Sequence, residues 1–124
     1  MAKILVVDDD PDFVRLTQTI LQSRDYEVVT ASNGEKALAA MRQEKPDLVL
    51  LDIMMSYILD GLDVGREMAE DAELKHIPVI MVTSLTGARA QAEQLSSEYI
   101  PVEDWIHKPI DPDTLLARIE AALG

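Results

Sequence analysis

The sequence predicts an α/β fold, with a parallel sheet that is covered by helices on both faces. Five short apolar runs are rich in Val, Ile and Leu, and most of them do not alternate polar with apolar residues. Continuous runs of this kind are typical of strands that are buried on both sides. Segments with helical spacing separate the runs, and the connections are short. An alternation of strand and helix, repeated five times, favours right-handed crossovers in a parallel sheet.

The strands are predicted from the apolar runs themselves. These are Ile4–Val7, Tyr26–Thr30, Leu48–Leu51, Pro78–Val82 and the ragged Tyr99–Ile106. The second run mixes polar with apolar side chains, which suits a strand at the edge of the sheet.

The helices are predicted from apolar residues at intervals of three and four. In the first helix, Phe13, Leu16 and Ile20 are the predicted core residues, and a second stripe of Val14, Gln18 and Leu21 is a candidate surface for a partner helix. The later helices carry Ala37, Leu38 and Met41, then Val64 and Met68, and finally Leu115, Leu116 and Ile119. The segment 87–97 has few apolar anchors, so the helix before the fifth strand is the least marked.

Helix ends are marked by capping residues. Pro11 stands where a helix can begin, because its missing N–H is not needed in the first turn. The segments 32–35 and 111–113 supply Ser, Asn or Asp before a helix and an acid in its first turn. Gly124 is the predicted C-terminal stop of the last helix.

Length, charge and composition exclude several classes of protein. A chain of 124 residues fits one domain, 1–124. It has no cysteine, which excludes disulfides and thiolate sites. The net charge of −12 disfavours direct binding to nucleic acid or to anionic membranes. There is no apolar stretch of membrane-spanning length and no signal-peptide pattern, so a cytoplasmic location is expected.

Reactive side chains follow four of the five predicted strands. Asp8, Asp9 and Asp10 follow the first, Asp52 the third, Thr83 and Ser84 the fourth, and Lys108 and Pro109 the fifth. The second strand ends in nothing reactive. In an open parallel sheet, ligands bind beyond the carboxyl ends of the strands. We therefore expect these acids, hydroxyls and the amine to converge at one edge.

The carboxylates predict a divalent cation. Two carboxylates about 5 Å apart at an effective dielectric of 20 repel by about 3 kcal/mol. Mg²⁺ offsets such repulsion and prefers one or two carboxylates together with water and phosphate oxygens. Lys108 adds a positive charge and Thr83 a hydroxyl, a set suited to phosphoryl transfer. A carboxylate can itself be the nucleophile and form an aspartyl-phosphate.

The same residues give the chain its resemblance to a known family. It resembles the receiver domain of two-component response regulators over essentially its whole length. The matching segments are 5–10, 46–55, 60–61, 78–84 and 108–109. Each is weak alone, but together and in this order they are specific. The resemblance implies a flavodoxin-like (βα)5 doubly wound sheet with strand order 2-1-3-4-5, and a phosphorylation-dependent signalling switch rather than an enzyme.

The resemblance also implies roles for the acidic residues. Asp52 matches the phosphoacceptor, and Asp9 matches a direct ligand of Mg²⁺, for which Mn²⁺ is an alternative. Asp8 matches the acid that holds the metal's waters. The backbone carbonyl of Met54 matches the third protein ligand.

Three further residues match the switching machinery of the family. Thr83 matches the hydroxyl that turns toward the phosphoryl group, and Lys108 the lysine that pairs with it. Trp105 stands where the family carries its switch aromatic, usually Tyr or Phe. The implied partners are a sensor histidine kinase or a phosphotransfer protein, and a second copy bound through the last strands and helices.

Two departures from the family pattern leave alternatives open. Ser56 replaces a proline, in a loop one residue longer than usual, and 94–102 replaces the usual Ala-Gly-Ala turn. The altered loop supports a pseudo-receiver, which binds partners without being phosphorylated. A small phosphatase of the haloacid-dehalogenase kind would instead use Asp8 and Asp10 after the first strand, but it needs a further acidic pair and a cap.

Overall fold

The computed structural model describes most of the sheet and three of the helices. The described residues are 2–52, 67–68, 70–83, 104–107 and 111–123. The segments 87–97 and 94–102, the loop at 56–59 and Gly124 lie outside them, and the expectations for these parts stay predictions.

Five parallel strands form one sheet. They are β1 (Lys3–Val7), β2 (Glu27–Ala31), β3 (Leu48–Asp52), β4 (Val79–Thr83) and β5 (Asp104–His107). The strand order is β2-β1-β3-β4-β5, and every neighbouring pair is parallel. The predicted flavodoxin-like order is therefore confirmed, and the polar-apolar β2 lies at an edge as expected.

The three described helices begin where the capping residues predict. They are α1 (Pro11–Gln22), α2 (Gly34–Glu44) and α3 (Pro112–Leu123). The Asp10 carboxylate accepts a hydrogen bond from the Asp12 N–H at 3.0 Å, and the Asn33 side chain accepts one from the Lys36 N–H at 2.8 Å. Such bonds satisfy N–H groups that have no partner within the helix.

Side chains from the two faces of the sheet form two separate cores. Alternate residues of each central strand point to opposite faces. Leu5, Val7, Val49 and Leu51 belong to the core beneath α2, and Ile4, Val6, Leu48 and Leu50 to the core shared with α1 and α3. Layers on both sides explain why the central runs are continuously apolar.

The prediction for the buried face of α1 was partly wrong. Leu16, a predicted core residue, is 52% exposed, whereas Leu21, which was assigned to the partner surface, is fully buried. Thr17, Ile20 and Leu21 are the buried residues of this helix. Both stripes have helical spacing, but the stripe that is buried contains Thr17, a polar residue. A polar residue at the centre of a buried face breaks the apolar pattern that sequence reasoning follows.

Part of the helix predicted around Val64 and Met68 is described. Glu67 and Met68 are helical, and Met68 is buried in the core beneath α2. Among the described residues, no helix has the length and apolarity to cross a membrane.

Candidate functional site

Two acids follow β1 in different environments. The Asp8 N–H donates to the Ala31 carbonyl at 3.1 Å, which extends the pairing between β1 and β2 by one residue. Asp8 is 2% exposed, and its Oδ1 accepts a hydrogen bond from the Asp10 N–H at 2.9 Å. Asp9 is exposed. One carboxylate is thus fixed at the edge of the sheet, and its neighbour is open to solvent.

The sheet register places the end of β3 beside these acids. Val7 pairs with Leu51, so the next step along both strands sets Asp8 beside Asp52. Asp52 is the last residue of β3 and pairs with Val82 of β4 on its other side. The side chain of Asp52 lies outside the described residues. At the level of the backbone, the two central strands bring the predicted phosphoacceptor and the predicted metal acids together.

The remaining predicted residues are placed in part. Thr83 is the last residue of β4 and pairs with His107, and Trp105 pairs with Met81. Their side chains are not among the described ones, nor are Met54 and Lys108. The roles of these four residues stay predictions.

A groove of about 360 Å³ opens beside Asp8 and Asp9, between the start of α1 and the connection from β2 to α2. Its wall consists of Asp8, Asp9, Pro11, Val14, Thr30, Ala31, Ser32 and Lys36. Sequence reasoning assigned nothing reactive to the end of β2, and it therefore missed the hydroxyls of Thr30 and Ser32 and the ammonium of Lys36. The strand order offers the signal that could have found them, since β2 borders β1 in this fold.

The donor chemistry at the end of β1 fits a hard divalent cation. Asp8 and Asp9 offer carboxylate oxygens, which are the ligands that Mg²⁺ prefers. Within the described ranges, no three His, Cys, Asp or Glu side chains form a group that could hold a metal. A complete site thus needs donors beyond this pair, and the neighbouring end of β3 is where they would come from.

Other acids serve the helices and connections instead. The N–H and the hydroxyl of Thr114 both donate to Asp111 Oδ2 at 2.9 Å, and these bonds lower the pKa of the Asp111 carboxyl. The Glu73 N–H, followed by the Arg42 guanidinium at 3.1 Å, lowers the pKa of Asp71. Asp71 and Asp111 therefore stabilise the local structure through these hydrogen bonds.

Comparison with known proteins gives one consistent family. A family model for the response regulator receiver domain matches residues 4–120. Protein PilH of Pseudomonas aeruginosa is 38% identical over 124 residues, which cover 100% of this chain and 99% of PilH. The probable transcriptional regulator ycf27 of Pyropia yezoensis is 41% identical over 121 residues, which cover 98% of this chain and 47% of that protein.

Similarity in structure extends over the same length. The Vibrio cholerae chemotaxis protein CheY4 superposes with a TM-score of 0.89 at 29% identity, covering 98% of each chain. The chain spans about half the length of the ycf27 protein and nearly all of PilH. On the family match over residues 4–120 and the similarity to PilH over the whole chain, this chain belongs to the response regulator receiver domain family, the phosphorylation-dependent switches of two-component signalling.

Proposed function

We propose that the chain accepts a phosphoryl group on Asp52 from a sensor histidine kinase or a phosphotransfer protein, in a reaction that requires Mg²⁺ or Mn²⁺. The observation that carries the proposal is the register between β1 and β3, which sets Asp8 beside Asp52. The family provides independent support, because receiver domains interact with such donors in general.

The metal would be held by acids from two strands. Asp9, Asp52 and the backbone carbonyl of Met54 would be the direct protein ligands, and Asp8 would hold metal-bound water. The exposure of Asp9 and the burial of Asp8 support this division. The exposed Asp9 carboxylate can reach an ion directly, whereas the buried Asp8 carboxylate is held in place and would contact the ion through its water. When bound, the cation would neutralise negative charge on the carboxylates and the phosphoryl oxygens.

The transfer itself would be carried by residues at the carboxyl ends of the strands. An oxygen of the Asp52 carboxylate forms a bond to phosphorus while the bond from phosphorus to the donor imidazole nitrogen breaks. The imidazole keeps the electron pair and takes up a proton. Lys108 offsets the charge on the phosphoryl oxygens, and the Thr83 hydroxyl donates a hydrogen bond to one of them.

Switching would follow from the new charge at Asp52. Thr83 moves toward the phosphoryl group, and Trp105, three residues before Lys108, changes position with it. Trp105 is the single tryptophan of the chain, so its fluorescence reports on this step without labelling. Because no separate substrate is turned over, the activity is that of a switch rather than an enzyme.

The wider assignments follow from the same proposal. Residues 1–124 form one receiver domain. Its location is cytoplasmic, where the kinase or phosphotransfer protein that donates the phosphoryl group operates. The altered surface presents the last strands and helices to a partner protein or to a second copy of the chain. The net charge of −12 favours an effect through protein contacts over direct contact with nucleic acid.

The two alternatives differ in their nucleophile. A phosphatase of the haloacid-dehalogenase kind would attack with Asp8, but that side chain is buried and accepts a hydrogen bond from the Asp10 N–H, which disfavours it as a nucleophile. A pseudo-receiver would not become phosphorylated.

Intact-mass spectrometry after incubation with acetyl phosphate and Mg²⁺ tests the proposal. The native chain should gain one phosphoryl group, and Asp52→Asn should gain none. Asp12→Asn is the matched control, because Asp12 is an exposed acid in the first turn of α1 and its loss changes the net charge equally. EDTA should abolish the adduct in the native chain and in Asp12→Asn.

The other outcomes are equally informative. A native chain without an adduct would contradict the assignment of Asp52 and favour the pseudo-receiver. An adduct that persists in Asp52→Asn would place the nucleophile elsewhere, with Asp8 examined next.

A further inference from the structure

The groove beside the two acids also carries a cation. Lys36 is exposed and belongs to the same wall as Asp8 and Asp9. Among the described residues of that wall, it is the single positively charged one. A metal ion at the acids would therefore share a groove of about 360 Å³ with a positive charge.

The local structure of α2 gives no reason for a lysine at this position. Lys36 lies in the first turn of the helix, where its N–H donates to the Asn33 cap at 2.8 Å. A helix N-terminus favours acids and disfavours cations, since the peptide dipoles leave partial positive charge there. A residue that opposes local preference is expected where another interaction compensates for it.

Among the described residues, no side chain forms an ion pair with Lys36. The residues three and four positions later, which share its face of the helix, are Ala39 and Ala40. In the part of the chain that the structure describes, the ion pairs are Lys3–Glu44 and Arg42–Asp71. The negative charges that Lys36 faces across the groove are those of Asp8 and Asp9.

We propose that Lys36 lowers the affinity of the acid site for divalent cations. The proposal rests on the proposed function, because it takes Asp8 and Asp9 to be metal acids. Lys36 attracts the empty acids and repels the ion that occupies them, so it stabilises the metal-free site against the metal-bound one. Its effect is to raise the Mg²⁺ concentration at which half of the chains are competent for phosphoryl transfer.

The size of the effect follows from Coulomb's law, once a separation between the ammonium and the ion is chosen. For a charge separation of about 10 Å in water at 0.01 M salt, removal of one positive charge should tighten Mg²⁺ binding about three-fold. Reversal of the charge should tighten it about seven-fold, because the interaction is proportional to the charge removed. At 0.15 M salt, screening should reduce the first factor to about 1.5-fold.

Calorimetric titration of the metal-free protein with Mg²⁺ measures this directly. The variants are Lys36→Gln and Lys36→Glu, and the matched control is Lys75→Gln. Lys75 is also exposed, but it precedes β4 and thus lies toward the amino ends of the strands. A five-residue strand, about 16 Å long, separates that end of the sheet from the carboxyl ends, where the acids lie. Circular dichroism should show an unchanged fold, since loss of a cation at a helix N-terminus is favourable.

The expected result is a graded increase in affinity, from native to Lys36→Gln to Lys36→Glu, which shrinks as salt is added. Lys75→Gln should bind Mg²⁺ like the native chain. If native chain binds Mg²⁺ and Lys36→Gln binds it no more tightly than Lys75→Gln, the role of Lys36 is overturned while the metal site stands. If the native chain binds no Mg²⁺, the proposed metal site is itself overturned, and the role of Lys36 with it.

Discussion

Thr17 offers a direct test of the packing of α1 against the sheet. Thr17 is 1% exposed, and its hydroxyl has no hydrogen-bond partner in the described part of the chain. A buried hydroxyl without a partner costs about 1–3 kcal/mol relative to one that water can reach. Valine has nearly the same shape without the polar atom.

We expect Thr17→Val to raise the free energy of unfolding by about 1 kcal/mol, the lower part of that range. For a domain of this size, the gain corresponds to a Tm increase of about 4 °C. The measurement is urea denaturation followed by circular dichroism, with thermal melting as a second readout. The m-value should stay unchanged, because the surface exposed on unfolding is the same.

Thr19→Val provides the matched control on the same helix. Thr19 is exposed, and its hydroxyl donates to the Arg15 carbonyl at 3.0 Å. The same chemical change there should alter stability by less than about 0.5 kcal/mol. If Thr17→Val is no more stable than Thr19→Val, the Thr17 hydroxyl is satisfied in solution and the reasoning is refuted.

Three further predictions follow from the fold and the site. Leu16→Lys should change stability by less than about 0.5 kcal/mol, whereas Leu21→Ala should cost about 2–5 kcal/mol in urea denaturation; similar costs would contradict the exposed position of Leu16. Thr114→Val should raise the pKa of Asp111 toward 3.8 in an NMR titration while the backbone bond still holds it below, because one of two donors is lost. Mg²⁺ should raise the Tm of the native chain but not that of Asp9→Asn, as a ligand stabilises only the state that binds it, and an equal rise in both would remove Asp9 from the metal site.

The pKa values also set how stability depends on acid. Asp71 and Asp111 have folded pKa values below the unfolded value of 3.8. Their stabilising contributions are therefore fully present above that value and are lost as pH falls through the lower folded values. In Asp71→Asn, the free energy of unfolding should accordingly depend less steeply on pH below pH 3.8. An unchanged slope would contradict the bonds from Glu73 and Arg42.

Most of the sheet could be predicted because its central strands are continuous runs of apolar residues. Central strands covered on both faces have to be apolar throughout, so their positions could be read with errors of one residue. The helix starts were also predictable, since Asp10 and Asn33 cap through bonds to residues two or three positions later. These features depend on neighbours in the chain.

The features that sequence reasoning missed depend on distant residues. Which stripe of α1 is buried is decided by the sheet beneath it, and Thr17 obscured the answer. The wall of the groove is assembled from β2 and α2 beside the end of β1, so Lys36 gained its significance only once the strand order placed these segments together.

The pairing of β1 with β3 has a consequence for how the protein acquires its function during folding. Lys3 and Asp47 are 44 residues apart in the chain, yet the Lys3 N–H donates to the Asp47 carboxylate at 2.7 Å where the two strands begin. Closing so long a loop is entropically unfavourable and makes non-local strand pairing slow. A nascent chain that has emerged only through α2 carries Asp8 and Asp9 without the strand that completes the site. The ability to receive a phosphoryl group should thus arise late in folding. Partly folded molecules should accept no phosphoryl group.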